Sequence, residues 1–495
     1  MIYKFISAEE AASTIKNGEV VGIGGFSSVG TPKDVPSALA DYAERLHNEG
    51  KEFKVGLITS GATGYQVDSK MAKAKAVSFR TPFQSNKDMR NAINNCEVQY
   101  FDAHLSTIGQ DVRYGFLSKV NTAIVEASEI TEDGEIVLST SVGISPTLLQ
   151  VSEKIIIELN ENHTGKLSGM HDLYIPANPP YRREVPIYKV DDRIGKTSVR
   201  IDPKKVVGVV KTKGHDSIAA FTPTNDTTLQ IGHNVAQFLL REWKRGAIPS
   251  EFLPLQSGVG NIANAVLGAL GEDANLPALT MYTEVIQNSV IDLMTNGKMR
   301  FVTGSSLTLS DDHLDIIYNN LDAFKNRILL RQQEITNNPE VIRRLGIIAI
   351  NTALEADIFG NVNSTHVLGS KMMNGIGGSG DFARNAYLSI FTTPSTAKDG
   401  LISSIVPQVS HVDSTEHDVR VIVTEHGVAD LRGKSPIQRA QCIIENCAHP
   451  DYKELLWDYV KLSAGACHTP MSLRNALKMH IAYAETGDMR NTRYE

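Results

Sequence analysis

One carboxylate at the end of an apolar run is the first group in this 495-residue chain that could do chemistry. The run is Ala278-Leu279-Thr280-Met281-Tyr282-Thr283-Glu284-Val285-Ile286, with Glu284 near its end. Standing alone, such a glutamate is a solvated residue at a strand terminus. What lifts it is the stretch upstream, Ser257-Gly258-Val259-Gly260. Backbone amides there, at a helix N-terminus, can bind a phosphate or stabilise an oxyanion. A second run, Gly375-Ile376-Gly377-Gly378-Ser379-Gly380-Asp381-Phe382, matches GxGxxG and suggests a dinucleotide site. Its context argues otherwise: residues 370–374 do not read as a strand, residues 381–386 are too short for the required helix, and Asp399 lies in a loop. The run instead marks backbone with few side chains in the way, open to close approach.

Lys398 is a cation on the glycine-flanked turn Pro394-Ser395-Thr396-Ala397-Lys398-Asp399-Gly400, where a surface lysine is the default. Glu425-His426-Gly427 and Arg432 follow a strand-like run at 419–423, and a structural ion pair is the default there. Four cysteines (Cys96, Cys442, Cys447, Cys467) do not make a disulfide framework in so long a chain. Cys467-His468 and His449 make zinc conceivable, but buried thiols without a metal are expected.

The elements that must position these groups alternate. Ser7 and Glu10 form a capping-box pattern for a helix that stops at Gly18. A strand over residues 19–24 follows, then a glycine-bearing turn, then a helix with Val35, Leu39, Tyr42 and Leu46 on one face, ended by Gly50. Further strands are expected at 53–58, 123–126, 154–159 and 206–211, which implies a parallel α/β sheet. Between residues 165 and 186 the pattern dissolves into a long loop of the kind that often covers a site. After a break at 214–228, an amphipathic helix runs through Leu229, Val235, Leu239 and Trp243 to Gly246. Strand, glycine loop and helix then recur around residues 253–270. We read a weak duplication: an N-terminal α/β domain at 1–225 and a C-terminal one at 226–495, with a cleft between halves as a common place for a ligand.

Taken in order, Gly258-Val259-Gly260-Asn261, Tyr282-Thr283-Glu284-Val285, Gly360-Asn361-Val362-Asn363-Ser364-Thr365, the run from Met373 through Phe382, the turn from Ser395 to Gly400, and Thr424-Glu425-His426-Gly427 resemble the acetyl-CoA hydrolase/transferase family of class I CoA-transferases. Within it the likeness is to enzymes that exchange coenzyme A between succinate and acetate. The resemblance implies two related open α/β domains of the NagB/RpiA-like type. It implies that Glu284 becomes acylated and then carries CoA as a thioester. Gly258, Val259, Gly260, Asn261 and Ile262 would line coenzyme A, and the Val259 and Gly378 amides would form an oxyanion hole. Asn374, Lys398 and the Leu354 backbone would be further CoA contacts, and Asn337 would orient the glutamate. The chain departs from the pattern at His426, where the resemblance implies glutamine, and His215-Asp216-Ser217 lacks an arginine for a second substrate carboxylate.

The expected activity is acyl-CoA:carboxylate CoA transfer on a short-chain acid, with acyl-CoA hydrolysis through the same glutamate as the alternative and a non-catalytic CoA- or nucleotide-binding module as a further one. A formal charge of −7 argues against nucleic acid as a partner, and no apolar stretch approaches a bilayer span. The remaining expectations are a cytoplasmic homodimer with coenzyme A as substrate and covalent intermediate, and no metal.

Overall fold

The apolar run at residues 19–24 forms β1 (Val20–Ile23), buried along its whole length. The computed structural model describes residues 3–218, 224–463 and 468–495, and the chain packs into two compact units. The first comprises Met1–Ala220, Thr280–Leu345 and Asn374–Asp381, the second Phe221–Leu279, Gly346–Met373 and Phe382–Glu495. The expected halves, 1–225 and 226–495, rest on the recurrence of strand, glycine loop and helix in the sequence. The units divide the chain by packing, and the segment with Glu284 packs in the first.

In the first unit, β1 joins β2 (Val55–Thr59), β3 (Val77–Thr81), β4 (Gln99–Tyr100), β5 (Thr122–Ile130), β6 (Ile136–Leu138), β7 (Lys154–Asn160) and β8 (Val206–Thr212). The order is β4-β3-β2-β1-β5-β7-β8, parallel throughout, with β6 antiparallel on β5. Continuous burial of β1 and β2 explains why they read as apolar runs rather than alternating ones. Helix Asp34–Asn48 lays Val35, Leu39 and Ala43 on this sheet, packed with Ile23, Leu57 and Val77. The expected capping box exists: Ser7 and Glu10 exchange hydrogen bonds at the start of helix Ala8–Ser13.

β3 and the strands at 299–304, 306–307 and 328–330 were not foreseen, whereas residues 278–286 already read as strand-like. β3 carries a fully buried Arg80, whose donors go to Asp68 (2.9 Å), the Thr59 hydroxyl (2.6 Å) and the carbonyls of Gly61 and Thr81. A charged residue in a strand hides its period until the partner is known. Beyond the sheet, strands Ile328–Leu330 and Met299–Gly304 run parallel, with Leu279–Tyr282 next in order, and Val285–Ile286 pairs in parallel with Ser306–Leu307.

In the second unit the order is Leu255–Ser257, Ile348–Thr352, Leu388–Thr392, Val421–Thr424 and Gly427–Asp430, parallel except for the final hairpin. Helices Pro436–Cys447 and Pro450–Ser463 cover Phe391 and Ile422 with Ile443, Tyr452 and Tyr459. The expected strand, loop and helix around residue 258 appear as Leu255–Ser257 and Asn261–Glu272.

Candidate active site

Glu284 lies just past strand Leu279–Tyr282, and the neighbouring segment fixes its backbone. Thr283 N–H donates to Thr303 O (2.9 Å), and the Glu284 carbonyl accepts from Ser305 N–H (2.6 Å) and Ser306 N–H (3.1 Å). The Tyr282 hydroxyl donates to Ile335 O (2.8 Å), joining this strand to the short helix Gln333–Thr336. That helix is anchored in turn. Arg113 grips Glu334 through both terminal guanidinium nitrogens (2.7 and 2.8 Å), and the Gln333 side chain donates to Leu105 O (3.1 Å).

Asn337 caps the helix and is fully buried. Its Nδ2 donates to Glu284 Oε1 (2.5 Å) and to Asp381 Oδ2 (3.2 Å), while its Oδ1 accepts from the Thr336 hydroxyl (2.9 Å). Glu284 itself is partly buried. Gly378 lies against the carboxyl: a Cβ there would overlap Glu284 Oε1 and Cδ and stand 2.5 Å from Asn337 Nδ2. Glu284, Asn337 and Gly378 therefore converge, though they lie far apart in the sequence.

The glycine run is held to the first unit by groups that no motif indicated. The Tyr100 hydroxyl donates to Asn374 O (2.5 Å), Asp102 Oδ2 accepts from Ile376 N–H (2.8 Å), and Leu105 N–H donates to Gly377 O (3.4 Å). At Gly375, φ is +157°, and a Cβ would come within 2.5 Å of the Tyr100 oxygen, so two constraints favour glycine. The Asn374 side-chain oxygen accepts from Gly375 N–H (2.8 Å). At the end of the run Asp381 accepts from Ser106 N–H (3.0 Å) and the Ser106 hydroxyl (2.6 Å), with His104 Nδ1 3.8 Å away.

Burial pushes the Glu284 carboxyl up to about 7; Asn337's hydrogen bond opposes that rise, and the Asp381 charge adds to it. Asp381 is also raised by burial, against the pull of Ser106 and His104. A carboxyl that ionises only near neutrality is a stronger base and nucleophile than an ordinary one once it has lost its proton.

The other expected residues lie in the second unit. Gly258 N–H donates to Ile350 O (3.0 Å), Val259 is 56% exposed, and Gly260 takes φ +113° immediately before helix Asn261–Glu272, where Asn261 is partly exposed and Ile262 buried. Leu354 N–H donates to Asn363 O (2.9 Å). Lys398, Asp399 and Gly400 all have positive φ, in a hairpin between Thr396–Ala397 and Ile402–Ser403 that exposes the lysine. Glu425 fixes this turn by accepting from Ser395 N–H (2.9 Å) and the Ser395 hydroxyl. His426 stands 3.5 Å from Glu425, and burial lowers its pKa. Arg432 pairs with Asp430 (2.6 Å) and Glu242 (2.8 Å), the structural ion pair its position suggested.

In the first unit, Asp216 receives Lys33 Nζ (2.9 Å), Gly30 N–H (3.0 Å) and the Thr140 hydroxyl (2.7 Å), so it is engaged in a buried network. Cys96, Cys442 and Cys447 are unpaired thiols, and Cys467 lies outside the described residues. Among the described residues no group of three or more His, Cys, Asp or Glu side chains could hold a metal ion, and no helix is long and apolar enough to cross a membrane.

Known proteins share this sequence pattern over nearly its full length. Residues 2–211 match the acetyl-CoA hydrolase/transferase N-terminal domain and residues 315–460 the C-terminal domain of the same name. A succinyl-CoA:acetate CoA-transferase of Clostridium kluyveri is 49% identical across 98% of this chain and 90% of its own length. A propanoyl-CoA:succinate CoA transferase of Escherichia coli is 47% identical over 98% of both, and an acetyl-CoA hydrolase of Candida glabrata is 45% identical over 98% of this chain and 95% of its own. In fold, the chain is similar to a 4-hydroxybutyrate CoA-transferase of Porphyromonas gingivalis, with a TM-score of 0.62 at 22% identity over 93% of this chain and 97% of the other.

Proposed function

Because the chain belongs to the acetyl-CoA hydrolase/transferase family, we propose that it is a CoA-transferase that moves coenzyme A between short-chain carboxylic acids, with Glu284 as the group acylated in each turnover. The observation that carries this reading is the Glu284 carboxyl held by Asn337 Nδ2 at 2.5 Å, beside a Gly378 where no side chain fits.

The reaction balances without any proton moving. The Glu284 carboxylate attacks the acyl-CoA carbonyl, the C–S bond breaks, and an acyl-glutamyl anhydride and CoA thiolate result. The thiolate attacks the glutamyl carbonyl, the anhydride C–O bond breaks, and the carboxylic acid departs as its anion. Glu284 is then a CoA thioester, and a second carboxylate reverses the steps. Both attacks put charge on a carbonyl oxygen, where one amide donor is worth about 3 kcal/mol, roughly two orders of magnitude in rate. The family likeness assigns that task to the amides of Gly378 and Val259, and contact with CoA to Gly258, Gly260, Asn261, Ile262, Leu354, Asn374 and Lys398. Supporting these roles are the exposure of Val259 ahead of a helix N-terminus and the exposure of Lys398 on its hairpin.

The test is mass spectrometry after mixing enzyme with acyl-CoA. A CoA adduct on the peptide containing Glu284 is expected, and an adduct elsewhere ends the reading. Lys398→Ala is expected to weaken CoA binding about fivefold by calorimetry with melting unchanged, since a single exposed cation holding a phosphate contributes roughly 1 kcal/mol. Unchanged affinity removes Lys398 from the site.

Hydrolysis is the second reading, favoured by the relative named acetyl-CoA hydrolase. A new acyl-CoA that forms only with added acetate or succinate and without net thiol release identifies a transferase, and thiol release without them a hydrolase. The acyl partner, among acetate, propionate, butyrate and succinate, is set by a panel of donors against acceptors. The proposed assembly is a homodimer and the proposed compartment the cytoplasm, the latter supported by few cysteines in a long chain.

A further inference from the structure

Asn337 reaches Glu284 with an amide whose orientation is not set by its own torsion preferences. The χ2 angle of asparagine is broad, so hydrogen bonds decide which face of the amide meets the glutamate. One nitrogen with two hydrogens stands between two carboxylates, Glu284 at 2.5 Å and Asp381 at 3.2 Å, while its oxygen takes the Thr336 hydroxyl at 2.9 Å. With the amide turned over, its oxygen would face both carboxylates.

We propose that Asp381 is a positioning residue for Glu284, holding the Asn337 amide with its nitrogen toward the nucleophile while Ser106 holds Asp381. The inference rests on the reading of Glu284 as the acylated group. Ser106 serves Asp381 with both its N–H (3.0 Å) and its hydroxyl (2.6 Å). That N–H belongs to the first turn of helix Leu105–Tyr114, whose N-cap His104 makes no side-chain capping bond. Asp381 therefore satisfies a donor that the helix leaves without a partner of its own, at the end where a negative charge is favoured. Its carboxylate is only 5% exposed and is oriented by these bonds, so the constraint passes from Ser106 through Asp381 and Asn337 to Glu284. The same donor can stay in place while Glu284 passes from carboxylate to anhydride to thioester, because each form presents an oxygen to Asn337. Without Asp381, one hydrogen of Asn337 loses its acceptor and the amide is released to rotate.

A double-mutant cycle tests this, read as the single-turnover rate of CoA-adduct formation on Glu284, with CoA affinity and melting recorded for each protein. Asn337→Ala is expected to slow adduct formation about 100-fold. Asp381→Asn, which keeps the shape and removes the charge, is expected to slow it about tenfold with CoA affinity unchanged. In the double variant the rate is expected to match Asn337→Ala within about twofold, because Asp381 then has nothing left to orient. A purely structural contribution would slow the Asn337→Ala protein by a further tenfold, and that additive result overturns the proposal, as does a wild-type rate in Asp381→Asn. If Asp381→Asn fails to melt cooperatively, Ser106→Ala replaces it: a loss of about threefold that vanishes in the Asn337→Ala background supports the proposal, and an additive loss or none overturns it. An adduct on Glu284 in the wild-type protein together with an additive cycle removes the Asp381 inference alone, whereas an adduct elsewhere removes the reading of Glu284 itself.

Discussion

Glu284→Ala is expected to reduce CoA transfer on the order of 10⁶-fold, the scale of loss when a covalent nucleophile is removed from a site built around it. Asp381, the carboxylate that shares the Asn337 amide with Glu284, cannot substitute, because it is already committed to Ser106 and Asn337. The isosteric Glu284→Gln should be equally inactive while gaining stability, and the sign follows from linkage. Burial raises the folded-state carboxyl from its ordinary value of 4.5 to about 7. Between those values the unfolded chain gives up the proton first, so the wild-type protein loses stability as pH rises through that window. The glutamine variant does not titrate. Its melting temperature should therefore exceed that of wild type at pH 8, with the gap closing toward pH 4. Activity has the opposite slope, since attack needs the ionised form: kcat/KM of wild type should climb with an acid limb near pH 7. Full activity in Glu284→Gln, or a melting difference independent of pH, would show that the carboxyl is neither the nucleophile nor held in this environment.

Gly378→Ala is expected to lower kcat by about 100-fold or more although it adds only a methyl group. The Cβ would overlap the Glu284 carboxyl and sit 2.5 Å from Asn337 Nδ2, so the hydrogen bond between them cannot survive unchanged. The backbone at Gly378 does not have positive φ, so the penalty is contact with the nucleophile rather than a forbidden conformation. A displacement of about 1 Å at a reacting group is enough for a loss of this size. Single-turnover adduct formation measures it directly, with calorimetry to show that CoA still binds. A rate within threefold of wild type would mean that the loop and the carboxyl move apart without consequence, and Gly378 would then have no part in the chemistry.

Much of the local structure was legible because it depends on residues close in sequence. The capping box at Ser7 and Glu10, the helix with Val35 and Leu39 on one face, and the turn into helix Asn261–Glu272 follow from spacing alone. β3 escaped because buried Arg80 breaks its pattern, and that arginine is tolerable only where Asp68 and three backbone or hydroxyl oxygens surround it. Asp381 was visible as a letter in the glycine run, yet nothing near it indicated Ser106, 275 residues away.

The order of apolar runs, glycines and caps was enough to imply an α/β chain, because secondary structure follows from short-range periodicity, whereas the role expected of Glu284 came from the motifs this sequence shares with the family. Tertiary packing alone decided that Glu284, Asn337, Gly378 and Asp381 meet, and that one amide bridges two carboxylates. The physical reason is range. A hydrogen bond is made or lost over a few tenths of an ångström, and the separation of residues that are distant in the chain is set by the packed elements that carry them.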